Sequence, residues 1–246
     1  FLNSAVWAQC DSIYTSFCVM SFYFLLRGRG RLSMALYGVA FSFKLQAVFF
    51  APAAVVFFLK GRLKFSDLLF FVLAYFLCAL PAVIAGMSLV DALFGAYIIQ
   101  AGEYARITLN APNLYQFLSD SYNVSPELGN MLIFFAFGVC AIFCTYFYRA
   151  DYRLDDKGML LIAYLFSVLL PFVLPHMHER YFYMADIFAV IFTFVYPKKA
   201  YISAATAYCS LRAVVMFLFD GSGTKGSLTQ VAVLMGAAIA ALCIFV

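Results

Sequence analysis

Charged side chains are scarce in this sequence: 16 Lys+Arg and 12 Asp+Glu amount to 11% of 246 residues. Soluble domains carry about 25% charged and 45–50% apolar residues. Here 66% of residues are hydrophobic and mean hydropathy is +0.95, which excludes a water-soluble domain. The apolar stretches are continuous rather than alternating, which argues against a β-barrel. Cysteine pairing is missing too. Cys10, Cys18, Cys78, Cys140, Cys144, Cys209 and Cys243 show no CxxC or zinc-ligand spacing and read as small buried hydrophobes. Patterns for a nucleophilic triad, a P-loop, a Rossmann turn or nucleic-acid binding are also lacking. Gly221-Ser222-Gly223-Thr224-Lys225-Gly226-Ser227 lacks the preceding strand and the full phosphate-loop spacing, and reads as a flexible turn. Neither a cofactor nor a nucleic-acid partner is expected.

What remains is an all-α integral membrane protein, a polytopic helical bundle. Apolar runs fall near 12–26, 32–59, 67–86, 129–148, 158–174, 181–196, 200–219 and 228–246, against about 20 residues per span. The 32–59 run would make a helix of about 42 Å and carries Lys44-Leu45-Gln46 mid-way, so a broken helix or hairpin near Lys44 is expected. Cytoplasmic loops are enriched in Lys and Arg. Placing Arg27, Arg29, Arg31, Lys60, Arg62, Lys64, Arg149, Arg153, Lys157, Lys198 and Lys199 inside gives about nine crossings. The opposite, exoplasmic face then receives residues 7–11, the Lys44 tip, loop 87–128, the 176–180 stretch and loop 220–227. Loop 87–128, rich in aromatics and amides, is expected to hold an interfacial amphipathic helix and part of a substrate site. The chain starts without Met or a signal peptide, and both ends lie in apolar sequence. The expectation is one transmembrane domain, 1–246, that is a fragment lacking upstream membrane segments.

Ionisable groups at membrane depth usually line a wet cavity and pair or bind something. His176 and His178 are the only histidines, and Glu179 and Arg180 stand beside them. Three readings fit: a metal site, for which the ligands are too few; a helix-end cap with Arg180 snorkelling to headgroups; and the favoured one, an anion or sugar-phosphate site. Trp7 reads as an interface anchor close to Gln9 and Asp11, and Asp11 opens an apolar run facing the protein interior. Lys44, with Gln46, is a phosphate ligand or the ion-pair partner of a carboxylate such as Asp11. Arg212 follows the same logic, with Asp186 as its counter-ion.

Asn3 to Tyr14, containing Trp7-Ala8-Gln9-Cys10-Asp11, resembles the Trp-Gly-Gln-x-Asp segment of bacterial mannosyltransferase-like membrane proteins related to the GPI mannosyltransferases. Ala8 departs from the usual Gly. Phe43-Lys44-Leu45-Gln46 through Pro52 and Leu174 to Tyr181 are similar to patterns in the same group. The latter also resembles the His-x-His-Glu-Lys motif of dolichol-phosphate-glucose-dependent glucosyltransferases. All belong to the C-type glycosyltransferase superfamily, and the resemblance runs from residue 3 to about 186. It implies transfer of a hexose, mannose or glucose, from a polyprenyl-phosphate donor to a glycan or lipid acceptor on the exoplasmic face, with inversion. It implies a bacterial plasma membrane, or the ER membrane in a eukaryote. It also implies a catalytic carboxylate in a first exoplasmic loop, upstream of Phe1, with Asp11 as the candidate inside this sequence. Trp7, Gln9, Lys44, Gln46, His176, His178, Glu179, Arg180 and Arg212 would bind substrate. The rival class is a transporter or flippase for a lipid-linked or anionic substrate; a third is a lipid-binding subunit without catalysis.

Overall fold

The computed structural model describes residues 2–95, 97–98, 105–118, 123–150, 154–219 and 225–245. Two compact units emerge: Cys10–Tyr104, and Phe1–Gln9 together with Ala105–Val246.

In the first unit, α1 (Asp11–Leu26) and α2 (Gly30–Phe43) form a hairpin, linked near its turn by the hydroxyls of Ser21 and Ser33 at 3.0 Å. The helix does not continue past Phe43. Lys44 is extended (φ −160°, ψ 134°), a 3-10 turn covers Leu45–Phe50, and α3 runs Ala51–Leu59. Free backbone groups at a break in hydrocarbon must find partners. The Tyr37 hydroxyl donates to the Ala47 carbonyl at 3.1 Å, and Phe50 packs edge-on to Tyr37 at 5.4 Å. Pro52, which lacks an N–H, sits in the first turn of α3, where none is needed. Alongside α2 lies α4 (Phe65–Ile84). Their approach requires Gly38, because a Cβ there would collide with the Phe71 carbonyl.

In the second unit, α5 (Pro126–Arg149) precedes a central helix, α6 (Asp156–Val173), which is buried almost throughout. The side chains of Ser125 and Asp155 cap these two helices. Around α6 pack α7 (Tyr183–Val195), α8 (Ala200–Phe219) and α9 (Lys225–Phe245). Tyr164 on α6 donates to Thr206 on α8 at 2.8 Å. At one end of this bundle, Lys157 lies over Tyr196 and Lys199 over Phe245. At the other, the chain after α6 pairs with the loop before α5: β1 (Thr108–Leu109) runs parallel to β2 (Met177–His178).

Five helices among the described residues are long and apolar enough to cross a membrane: 65–84, 126–149, 156–173, 197–219 and 228–245. That is fewer than the nine crossings expected, because α1, α2, α3 and α7 have 9–16 residues each. The interfacial helix expected in loop 87–128 is absent from 105–118, which forms β1 and a 3-10 turn at Leu114–Phe117. Asn110 there has φ +59°, a left-handed conformation, and Pro112 follows, so no α-helix can run through. Residues 99–104 and 119–122 of that loop, Arg153, and 220–224 of the Gly-Ser turn lie outside the described residues.

Candidate active site

Pro175 disfavours the α conformation at Leu174, which turns extended and ends α6 (ψ 139°). His176 then adopts φ +60°. Its backbone N–H donates to the Ile107 carbonyl at 2.8 Å, and its Nδ1 meets the Arg106 carbonyl at 2.7 Å. A carbonyl only accepts, so Nδ1 carries the proton. The ring lies close to Gly129, where a Cβ would stand 3.0 Å from Nε2. His176 therefore fastens the motif to loop and helix, with Nε2 as its remaining polar atom.

His178, Glu179 and Arg180 are brought together. Glu179 is fully buried; its Oε1 accepts from the Arg180 guanidinium at 3.1 Å, and its Oε2 lies 3.7 Å from His178 Nδ1. The guanidinium stands over Trp7 at 5.2 Å and Tyr181 at 5.6 Å. Trp7 packs in turn on Phe217 at 5.2 Å, and the His178 and Tyr181 rings meet edge-on at 5.1 Å. A guanidinium clasped on one edge by a carboxylate and faced by aromatic rings has a fixed orientation. Its remaining N–H groups can fork onto a phosphate. Arg180 also lines a cavity of about 310 Å³, together with Asn3, Tyr183, Asp186 and Ser210.

Gln9 is half-buried, and its backbone N–H donates to the Asn3 carbonyl at 3.1 Å. Arg212 is half-buried and makes no ion pair among the described residues. Asp186 is not its counter-ion: Asp186 accepts from the Ser210 hydroxyl at 2.7 Å. In the first unit, Asp11 is fully buried and ion-paired with Lys44, the second of the two readings of that lysine, and the Lys44 ammonium lies 6.0 Å over the Tyr14 ring. Lys44 lines a separate cavity of about 160 Å³ with Tyr75, Cys78 and Tyr97, and Gln46 is buried.

The residues that support the motif from loop 105–117 escaped the sequence reading, although its amides and aromatics were the available signal. Asn113 donates to the Leu174 carbonyl at 3.3 Å and Tyr115 to the Val173 carbonyl at 2.9 Å, closing the last turn of α6. Burial pushes the Tyr115 phenol up to about 12, so it stays a donor at any physiological pH.

Residues 9–159 match the family model described as ALG3 protein. The chain belongs to the ALG3 family. It is a multi-pass membrane glycosyltransferase of the C-type superfamily and, in activity, a mannosyltransferase. ALG3 proteins use lipid-linked sugar donors and glycan acceptors in the membrane. The ALG3 match takes in Asp11, Lys44 and Gln46 and ends before the histidine motif, so the cluster around Arg180 stands on its geometry. No curated protein and no solved structure matches the chain.

Proposed function

We propose that the protein transfers mannose from a polyprenyl-phosphate donor to a glycan acceptor on the exoplasmic face of the membrane, with inversion at the anomeric carbon. The observation that carries this reading is the guanidinium of Arg180, held by buried Glu179 and stacked on Trp7. Arg180 takes the donor phosphate, with His178 beside it. As the bond between the anomeric carbon and the phosphate oxygen breaks, these donors stabilise the charge that collects on the polyprenyl phosphate. The acceptor hydroxyl attacks in line from the opposite face of the sugar, and a carboxylate base takes its proton. Glu179 orients Arg180, while His176 positions the segment. In the first unit, Lys44 faces a second cavity as a substrate contact, with Asp11 as its anchor, and Gln46 is a further substrate contact on the turn that follows. Gln9 and Arg212 are peripheral substrate contacts in the second unit.

Two further features support a lipid-linked donor: the membrane-embedded family, and the lack of any nucleotide-binding motif. The purified protein in lipid nanodiscs is expected to form a new mannosidic bond from polyprenyl-phosphate mannose and a glycan acceptor. It should do so without a nucleotide sugar and with chelator present. The new bond should have the opposite anomeric configuration to the donor. A strict requirement for a nucleotide sugar would overturn the donor assignment. Movement of intact lipid-linked sugar across the bilayer, with no new bond, would make the protein a flippase.

A further inference from the structure

Beside Arg180, α7 and α8 each turn one stripe into the same cavity. Tyr183, Asp186, Ile187 and Val190 come from α7; Ala207, Ser210, Leu211 and Val214 come from α8. The spacing of three and four residues places each set on a single helical face. The result is a groove with Asn3 and Arg180 at its polar end and apolar walls beyond, where Val190 and Leu211 are exposed. One carboxylate interrupts those apolar walls. Asp186 Oδ2 accepts from Ser210 at 2.7 Å, whereas Oδ1 is shielded from solvent and receives no hydrogen bond from the described residues.

A carboxylate oxygen left without a donor in such a place is costly, so a ligand that supplies one gains the difference. The chemistry of the donor decides which of its parts does so. An isoprenoid chain has no hydrogen-bond donor, and a phosphate would be repelled by the carboxylate. Only the hydroxyls of the hexose can donate. Arg180 lies in a 3-10 turn (Glu179–Phe182) that leads into α7, so the rise from Arg180 to Asp186 is about 10 Å at 2.0 Å per residue in the turn and 1.5 Å per residue in the helix, a gap that a hexosyl phosphate bridges once the two side chains reach towards each other. We propose that the Asp186–Ser210 pair binds a hydroxyl of the donor's hexose, a small turn of the Asp186 carboxyl bringing Oδ1 to the groove wall to accept it while Ser210 keeps hold of Oδ2. The proposal rests on the function proposed above, with Arg180 on the phosphate. It makes Asp186 a residue that selects the sugar, separate from the residues that hold the lipid phosphate.

The test compares two probes, polyprenyl phosphate and polyprenyl-phosphate mannose, on the full protein in nanodiscs. Removing a carboxylate from an apolar groove relieves desolvation, so Asp186→Ala should fold and retain its binding of bare polyprenyl phosphate. Its affinity for the mannosyl lipid should fall about tenfold or more, the usual consequence of losing a hydrogen bond to a charged group. Ser210→Ala should weaken the mannosyl lipid alone, by a smaller factor. Equal weakening of both probes, or no change in either, would overturn the proposal while leaving the transferase reading intact. Wild-type protein that binds neither probe would bring down both. If Asp186→Ala fails to fold, Ser210→Ala decides: unchanged discrimination between the two probes refutes the assignment.

Discussion

Arg180 contributes more than a positive charge, because Glu179 and two aromatic rings fix the plane in which its N–H groups point. Arg180→Ala is expected to lower turnover by roughly 100-fold, the scale of losing one charge-stabilising donor. Arg180→Lys should rescue little, since an ammonium can neither fork onto phosphate nor stack on indole in the same way. Turnover near wild type for the Ala variant would assign Arg180 to headgroup snorkelling instead. Trp7→Ala should act in the same direction and less severely, through the loss of a cation–π contact worth about 0.5–2 kcal/mol. At this scale the sequence was legible where charge stood out against a hydrophobic background, as at 176–180. It was silent about partners distant along the chain. Nothing near Trp7 announces Arg180, and Asp186 looked for an arginine where the fold supplied Ser210.

Short segments with special backbone requirements carry the motif. His176 sits at φ +60°, a conformation that Asn and Gly tolerate and β-branched residues resist. His176→Asn is therefore expected to preserve fold and most of the turnover. His176→Val should cost about 1–2 kcal/mol in backbone strain alone and displace His178 and Arg180. Thermal unfolding read beside steady-state kinetics distinguishes the two, and equal behaviour of Asn and Val would refute the fastening role. Tyr115→Phe removes the hydroxyl that holds the Val173 carbonyl. It should destabilise the protein by about 1 kcal/mol, with a larger effect on turnover than on overall fold. The break at Lys44 was readable because a charged residue interrupts a run too long for one span. The loop at 105–117 was not, because its parallel pairing with residues 177–178 is a contact across some 70 positions that no local periodicity encodes.

Each unit has one basic end. In the first, Arg27, Arg29 and Arg31 share an end with Lys60, Arg62 and Lys64, because the α1–α2 and α3–α4 turns lie together where α4 begins beside Gly30. The Asp11–Lys44 pair closes the other end. In the second, Lys157 and Lys199 meet Tyr196 and Phe245 at the end of the bundle opposite the histidine motif. The positive-inside rule expects each of these basic ends on the cytoplasmic side. The count of crossings was harder to read, since a helix of 13 or 16 residues falls short of a 30 Å hydrocarbon core by length. Whether such helices cross depends on their caps and on local thinning of the bilayer. If the basic ends face the cytoplasm, single cysteines in a Cys-free background should label from opposite sides at positions 199 and 178, on either side of α7. They should do the same at 62 and 45, on either side of the α3 segment. Both pairs flank a short helix, so each is a direct test of whether that helix spans. Opposite-sided labelling of both pairs would show that α7 and the 45–59 segment cross despite their length and would place the Arg180 cluster on the exoplasmic face. Same-sided labelling of 199 and 178 would put the cluster beside the lysines and remove the exoplasmic assignment of the reaction.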